Sequence, residues 1–476
     1  MRARRLLLGL VGLATVGGAT AWVLPGRAPL VSRPATRPAA VLVRNVSVVD
    51  VRAGTATAAR DVWLEGDRIR EIGPHDPRAT VPVGAVVLEG AGRFLVPGLI
   101  DAHCHVGSSP EPPWDKGLPD EDLNLERLLY SGVTRIFDPG AMSPHIFEVR
   151  AELAAGARLG PRLHAAGPVF TVPGGHPEAM MRQMLPGLVV DVLGDYMFAR
   201  LSAPADAEAA MQALLPHRPD LVKLAIDSIP LGVPRMSAEL SDAVVRAAEA
   251  GGVRAVAHIG TYEDALQAAE SGVAAWIHGV YKEPLSDAQV AKLASFGIPM
   301  VPTIVVFDSY ARMGRGEFDA TALEREVAPQ SLLEARIERP ADFPVEASSL
   351  EFLDLLRAQR QAGLDNARRL HAAGVTLLAG SDAQASVVHG PALHRELALL
   401  VKAGLPTAEV LRAATYNPAR FLADAEDPEY GEVAEGKLAD LLLVAGDPLE
   451  DIESLSKIEA VILGGEVLDR HPLEQR

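Results

Sequence analysis

Cysteine is almost absent: Cys104 is the sole thiol in 476 residues. One cysteine excludes a disulfide within the chain and any cysteine-rich metal site, so rigidity and metal ligands have to come from elsewhere, histidines and carboxylates above all. Positive charge is also scarce. Lys and Arg total 45 against 62 Asp and Glu, a net charge of −17. That balance repels nucleic acid and anionic membrane surfaces, and no nucleic-acid partner is expected. Apolar material, by contrast, is plentiful. With 48% hydrophobic and 22% charged residues, the chain has enough to bury a sizeable core. A mass of 50.4 kDa suits a barrel-sized domain carrying a smaller module.

The first residues stand apart. Arg2, Arg4 and Arg5 precede an uncharged run from Leu6 to Leu24, closed by Pro25. Residues 1–24 are therefore read as a signal peptide or membrane anchor. The run of 19 residues is just long enough to span a bilayer, and Ala19-Thr20-Ala21 supplies a small-residue cleavage pattern. Arginines inside place the rest of the chain outside, so the protein is expected to be exported, periplasmic or extracytoplasmic, with a membrane tether through residues 6–24 if they are retained. The alternative, a buried N-terminal core helix, fits the charge asymmetry less well. Residues 25–40, with prolines at 25, 29, 34 and 38, read as an extended linker.

From Val41 onward come short β-type runs: Val41 to Val49, Val62 to Glu65, Arg68 to Ile72, Ala85 to Leu88 and Arg93 to Val96. The same pattern returns at Leu441 to Val444 and Ala460 to Leu463, followed by the Gly464-Gly465 turn and Glu466 to Leu468. Residues 41–97 and 425–476 are expected to build one small β-sandwich module from both chain ends. Between them, over 98–424, strand-length apolar runs alternate with helical stretches, the α/β pattern of a (β/α)8 TIM-like barrel. Eight strand candidates emerge: Leu99 to Ala102, Val133 to Phe137, Arg162 to Ala165, Leu221 to Ile226, Arg254 to His258, Ala274 to His278, Pro299 to Ile304 and Val375 to Ala379. Barrels place their chemistry where strands finish, and most of these runs end on polar or metal-binding residue types.

His103-Cys104-His105 follows the first run. Side chains alternate along a strand, so His103 and His105 share a face and can reach one metal while Cys104 points away. Alone, such a pair reads equally well as packed or solvated histidines. His258 and His278, however, close two neighbouring strands, and neutral imidazole is the commonest metal ligand. Lys223 sits inside the apolar run Leu221 to Ile226, where an ammonium is costly to bury. Either it snorkels or pairs with an anion, or it is chemically modified into a ligand. Asp382, just past the last strand, is a helix N-terminal acid or, beside four histidines, a ligand and proton carrier.

Together these residues resemble the amidohydrolase superfamily, and within it the imidazolonepropionase-like branch that includes metal-dependent prolidases (Xaa-Pro dipeptidases). The likeness runs from Val41 to Leu468. Besides the histidine pair it rests on Gly132-Val133-Thr134, Pro173-Gly174-Gly175-His176, Ala257-His258 with Gly272-Val273, Gly380-Ser381-Asp382-Ala383, Ala414 to Arg420 and Gly431 to Asp440. The resemblance implies two divalent metal ions. His103, His105 and Asp382 would hold one, His258 and His278 the other, with Lys223, carboxylated by CO2, bridging them. Imidazole and carboxylate ligands suit zinc, and manganese or cobalt fit the same set. It further implies attack of a metal-bridging hydroxide on a carbonyl, with Asp382 passing the proton to the departing amine. His176 and His389, on loops after the third and eighth strands, are candidate substrate or oxyanion contacts.

The chain departs from the branch just after Lys223, where many relatives carry Ser-Gly-Gly and this one reads Ala225-Ile226-Asp227-Ser228-Ile229-Pro230. Substrate identity is open there. The expected activity is hydrolysis of an amide bond in a small substrate, a dipeptide above all, with a cyclic amide, lactone or other ester as the alternative. An exported binding protein with a degenerate barrel is the non-enzyme reading, against which the complete ligand set speaks. A homo-oligomer is expected. Residues 308–363 are long for one barrel connection and are read as helices over the mouth or as an oligomer contact.

Overall fold

The computed structural model describes residues 27–473, apart from 116 and 186. The expected signal or anchor over 1–24 lies outside the described residues. Among those described, no helix is long and apolar enough to cross a membrane.

Both chain ends meet in one nine-stranded sheet. The join is Phe94–Pro97, which lies antiparallel to Leu441–Val444 with Pro97 opposite Leu441. The strand Val41–Asp50 does double duty on one edge. Its first residues pair with Val86–Glu89, and Ser47 and Val48 pair with Phe94 and Leu95. Val41, Val43, Leu64, Ile69, Leu441 and Ile462 pack into a shared apolar core, the alternation that a sheet with one covered face imposes. The turn between Ile458–Leu463 and Glu466–Arg470 uses Gly464 and Gly465 at φ 56° and 76°. This left-handed pair matches strand twist in a two-residue hairpin, and a Cβ on Gly465 would collide with the Gly66 carbonyl.

Between the ends run parallel strands, most of whose residues are buried on both faces, as parallel sheets covered by helices require. Leu99–Asp101, Val133–Asp138 and Arg162–Ala165 form one arc of three. Val169–Thr171, Phe198–Arg200, Val222–Ala225, Ala255–His258 and Ala275–Trp276 form another of five. The arcs meet within one stretch of chain, interrupted at Gly167, whose φ is 79° and where a Cβ would press on the Phe147 ring. Beyond Trp276 the pairing continues through single bridges to Met300 and then Leu377. Ala102 N donates to Ala379 O at 2.9 Å and Asp382 N to His103 O at 2.6 Å, so main-chain hydrogen bonds lead back to the first strand.

The seventh and eighth runs fall short of the expected strands. Pro299 to Ile304 contributes one bridged residue before the helix Ile304–Arg312 begins. Pro299 and Pro302 have no N–H for a ladder, and Thr303 turns the chain at φ 48°. Val375 to Ala379 is likewise reduced to the bridge at Leu377. The strand Phe198–Arg200 was not anticipated; it follows the helices Glu178–Met184 and Gly187–Met197. Residues 308–363 are mainly helical and fold onto the strand-end loops. Trp114 Nε1 donates to the Ala335 carbonyl at 2.8 Å, and Tyr281 packs between Phe307 and Phe352.

Candidate metal centre

His103, His105, Lys223, His258, His278 and Asp382 converge, and all but His105, which is partly covered, are buried. Asp382 Oδ1 lies 3.3 Å from His103 Nε2 and 3.2 Å from His105 Nε2, and those two nitrogens are 3.3 Å apart. Lys223 Nζ is 3.5 Å from His103 Nε2. The His258 and His278 ring centroids are 4.1 Å apart, and His278 is 4.7 Å from His103. Donor atoms of His103, His278 and Asp382 all fall within 4.8 Å of one another.

The opposite ring nitrogens decide what these imidazoles can do. His103 Nδ1 faces the Ile277 carbonyl at 2.8 Å and His105 Nδ1 the Gly140 carbonyl at 3.0 Å. A carbonyl only accepts, so Nδ1 carries the hydrogen and Nε2 offers a lone pair. Thr303 Oγ1 donates to the Pro302 carbonyl at 2.9 Å and therefore accepts from His278 Nδ1 at 2.6 Å. His258 is reversed: Nε2 faces Asp227 Oδ2 at 3.3 Å, while buried Nδ1 has no partner. Such outer bonds fix tautomer and ring direction in metal-binding histidines.

Electrostatics agree with ligation. Burial holds His103, His258 and His278 well below the usual imidazole range, hence neutral. His105 is the exception: burial works against its charge, yet Asp138 and Asp382 raise it to about 9. A cation would compete with that proton for Nε2. Burial pulls Lys223 down to about 8 against the opposing pull of Asp382 and Asp138, so about a tenth of the amine is neutral at pH 7. Asp382 stays low because His103, His105 and Lys223 outweigh its burial. Its φ of 48° places a non-glycine residue in the left-handed region, a strain that persists where surroundings hold it.

Two further predicted residues lie differently. The His176 ring lies tilted against that of His258, with centroids 4.4 Å apart and Nδ1 unpartnered. His389 is fully buried behind His105, its Nε2 donating to the His105 carbonyl at 2.9 Å. Cys104 is buried, and burial pushes its thiol well up.

Sequence reasoning missed the residues that hold the ligands. Asp101 binds both loops: Oδ1 accepts from Ser381 N at 2.9 Å and His103 N at 3.2 Å, and Oδ2 from the Ser381 hydroxyl at 2.5 Å. Burial nevertheless pushes it up to about 7. Asp138 accepts from Val106 N and Gly140 N, both at 3.0 Å. Each ends an apolar strand, and that was the available signal. Thr303, Tyr281 and Lys282 carried none, and Asp227 showed only within the stretch Ala225 to Pro230 that departs from the family pattern.

Parallel strands that deliver imidazoles, a lysine and a carboxylate to one end define a class, α/β enzymes with their chemistry at the strand C-termini. The chain belongs to the amidohydrolase family, whose family model matches residues 94–468, and membership supports a hydrolase. An uncharacterized protein of Mycobacterium bovis is 26% identical over 445 residues, covering 91% of this chain and 97% of that protein. An adenine deaminase of Rubrobacter xylanophilus is 38% identical over 72 residues. That match spans 15% of this chain and only 12% of the deaminase. A solved Xaa-Pro dipeptidase with bound methionine in the active site superposes with a TM-score of 0.72 at 21% identity, covering 90% of this chain and 99% of that one. At this identity the likeness establishes the fold.

Proposed function

We propose that this chain is an exported two-metal amidohydrolase that cleaves the amide bond of a small substrate, a dipeptide of the Xaa-Pro kind. The two parallel arcs and their bridges are read as one (β/α)8 barrel over 98–424, and the sheet from 41–97 and 425–476 as its β-sandwich module. One observation carries the reading: each of the four imidazoles has one ring nitrogen engaged by a fixed partner outside the cluster, His258 through Nε2 with Nδ1 left bare and the other three through Nδ1.

His103, His105 and Asp382 would hold one ion and His258 and His278 the other. Lys223, its amine partly neutral, would attack CO2, lose a proton and present a carbamate to both. When bound, the ions lower the pKa of water and polarise a carbonyl. Asp382, whose carboxylate remains ionised, takes a proton from the attacking water and returns it to the departing amine nitrogen. His176, beside the His258 ring, would meet the carbonyl oxygen. The second reading, a cyclic amide, lactone or other ester, is favoured by one contact: Lys282 is committed to Asp227 at 2.5 Å rather than free for a substrate carboxylate.

The test is metal content of purified residues 27–476, which keep the strand Val31–Ser32 in the sheet, reconstituted with zinc and bicarbonate, alongside hydrolysis of Xaa-Pro dipeptides, lactones and esters. Two metals per chain with dipeptide cleavage, lowered about 10³-fold by Asp382→Asn, is the expected result. One metal or none overturns the Lys223 bridge. Two metals with turnover of esters or lactones alone moves the assignment to the second reading.

A further inference from the structure

His258 is the one ligand candidate of reversed orientation, and what reverses it is Asp227. This carboxylate, 2% exposed, accepts four hydrogen bonds, the imidazole's included: Oδ1 accepts from Lys282 Nζ at 2.5 Å and Ser228 N at 2.7 Å, and Oδ2 from Tyr281 OH at 2.7 Å and His258 Nε2 at 3.3 Å. Lys282 donates also to the Ser228 carbonyl at 2.8 Å. The brace is tied to the loop after His258 as well. Tyr281 N and Lys282 N both donate to Gly260 O, at 3.2 and 3.1 Å, and a Cβ on Gly260 would collide with the Asp227 carboxylate. Three loops, those following Lys223, His258 and His278, are thus locked around one carboxylate.

We propose that Asp227, braced by Lys282 and Tyr281, is a positioning residue that selects the tautomer of His258 and so creates the ligand at its Nδ1. The inference rests on the two-metal reading above. A neutral imidazole can carry its hydrogen on either nitrogen. A carboxylate beside Nε2 draws the hydrogen there, leaves the lone pair on Nδ1, and raises its basicity toward a metal. Lys282 supplies the countercharge that a carboxylate withdrawn from water requires. Tyr281, stacked on Phe307 with centroids 3.6 Å apart, donates to the same oxygen, Oδ2, that faces His258 Nε2. Asp227 is not among the proposed ligands; it acts through His258.

Removing Asp227 alone would strand a buried ammonium, so the test is the double variant Asp227→Leu/Lys282→Met, which removes both charges together. Zinc content, chelator competition and the visible spectrum of the cobalt-loaded protein are read on variants with wild-type circular dichroism. The expected result is loss of one metal per chain, its affinity lowered 10- to 100-fold, with an altered cobalt spectrum and the other metal kept. Tyr281→Phe, which keeps both charges, lowers the same affinity several-fold and serves if the double variant does not fold. Wild-type affinity for both metals in either folded variant overturns the inference while leaving the two-metal reading intact. A wild-type protein that binds no metal overturns both.

Discussion

Exchanging Glu324 for glutamine tests whether the helical insertion is held over the site by a buried ion network. Glu324 is 1% exposed. Its Oε1 accepts from Arg336 at 3.0 Å and Arg395 at 3.1 Å, and Oε2 from Arg395 at 2.5 Å and the Thr321 amide at 2.8 Å. Arg336 donates in turn to the Ser386 carbonyl at 3.3 Å, on the loop that carries Asp382. Burial alone would raise the carboxyl, but the two guanidiniums hold it at about 2, against 4.5 for a free glutamate. That depression corresponds to roughly 3 kcal/mol of stability. Because the folded value lies below the unfolded one, the stabilisation is complete above pH 4.5 and is lost as pH falls toward 2. Glutamine keeps the acceptor for Thr321 N and discards the charge. Urea unfolding should therefore show the wild type ahead by about 3 kcal/mol at pH 7 and by roughly 1.4 kcal/mol at pH 3. A gap of equal size at both pH values would refute the ionic account and leave only shape and helix capping.

Glu396 predicts the opposite pH course. Its Oε2 accepts from Val305 N at 2.7 Å, Oε1 has no partner, and burial pushes the carboxyl up to about 8. Its favourable contribution is complete below about pH 4.5 and is lost as pH rises from there through 8, so Glu396→Gln should gain roughly 5 kcal/mol on the wild type by pH 9 and nothing at pH 4; a pH-independent change in thermal unfolding would contradict this. Thr303→Val removes the hydroxyl that accepts from His278 Nδ1 while keeping the β-branch. Chelator competition should show metal affinity down 10- to 100-fold, and an unchanged affinity would show that the hydroxyl does not orient the ring.

The parts of this fold legible in the sequence were those with a period or a cost. Alternation placed His103 and His105 on one face with Cys104 turned away, and an ammonium inside Leu221 to Ile226 demanded a reason. The likeness of pattern at the two ends announced their shared sheet, which Phe94–Pro97 and Leu441–Val444 close. Strand seven was legible in hydrophobicity but not in extent, since Pro299 and Pro302 withhold the hydrogen-bond donors that hydrophobicity cannot report, and strand eight bridges to it only through Met300 and Leu377. His389 shows the converse. A histidine on a post-strand loop suggests chemistry, yet its hydrogen bond goes to the backbone of His105.

What stayed hidden was the shell that aims the ligands, and the reason is physical. Asp227 and Lys282 are 55 positions apart, and each, read alone, is an ordinary loop charge. Only folding brings them together. Thr303 depends on a left-handed backbone that its residue type disfavours, so no propensity could foresee it. A residue that meets substrate or metal has a chemical type that constrains it locally. One that acts through another residue is constrained only by geometry. His258 joins the two cases: its type was readable at the end of Arg254 to His258, but which of its nitrogens is bare follows from Asp227, and on the two-metal reading proposed above that decides whether the second half of the centre can form at all.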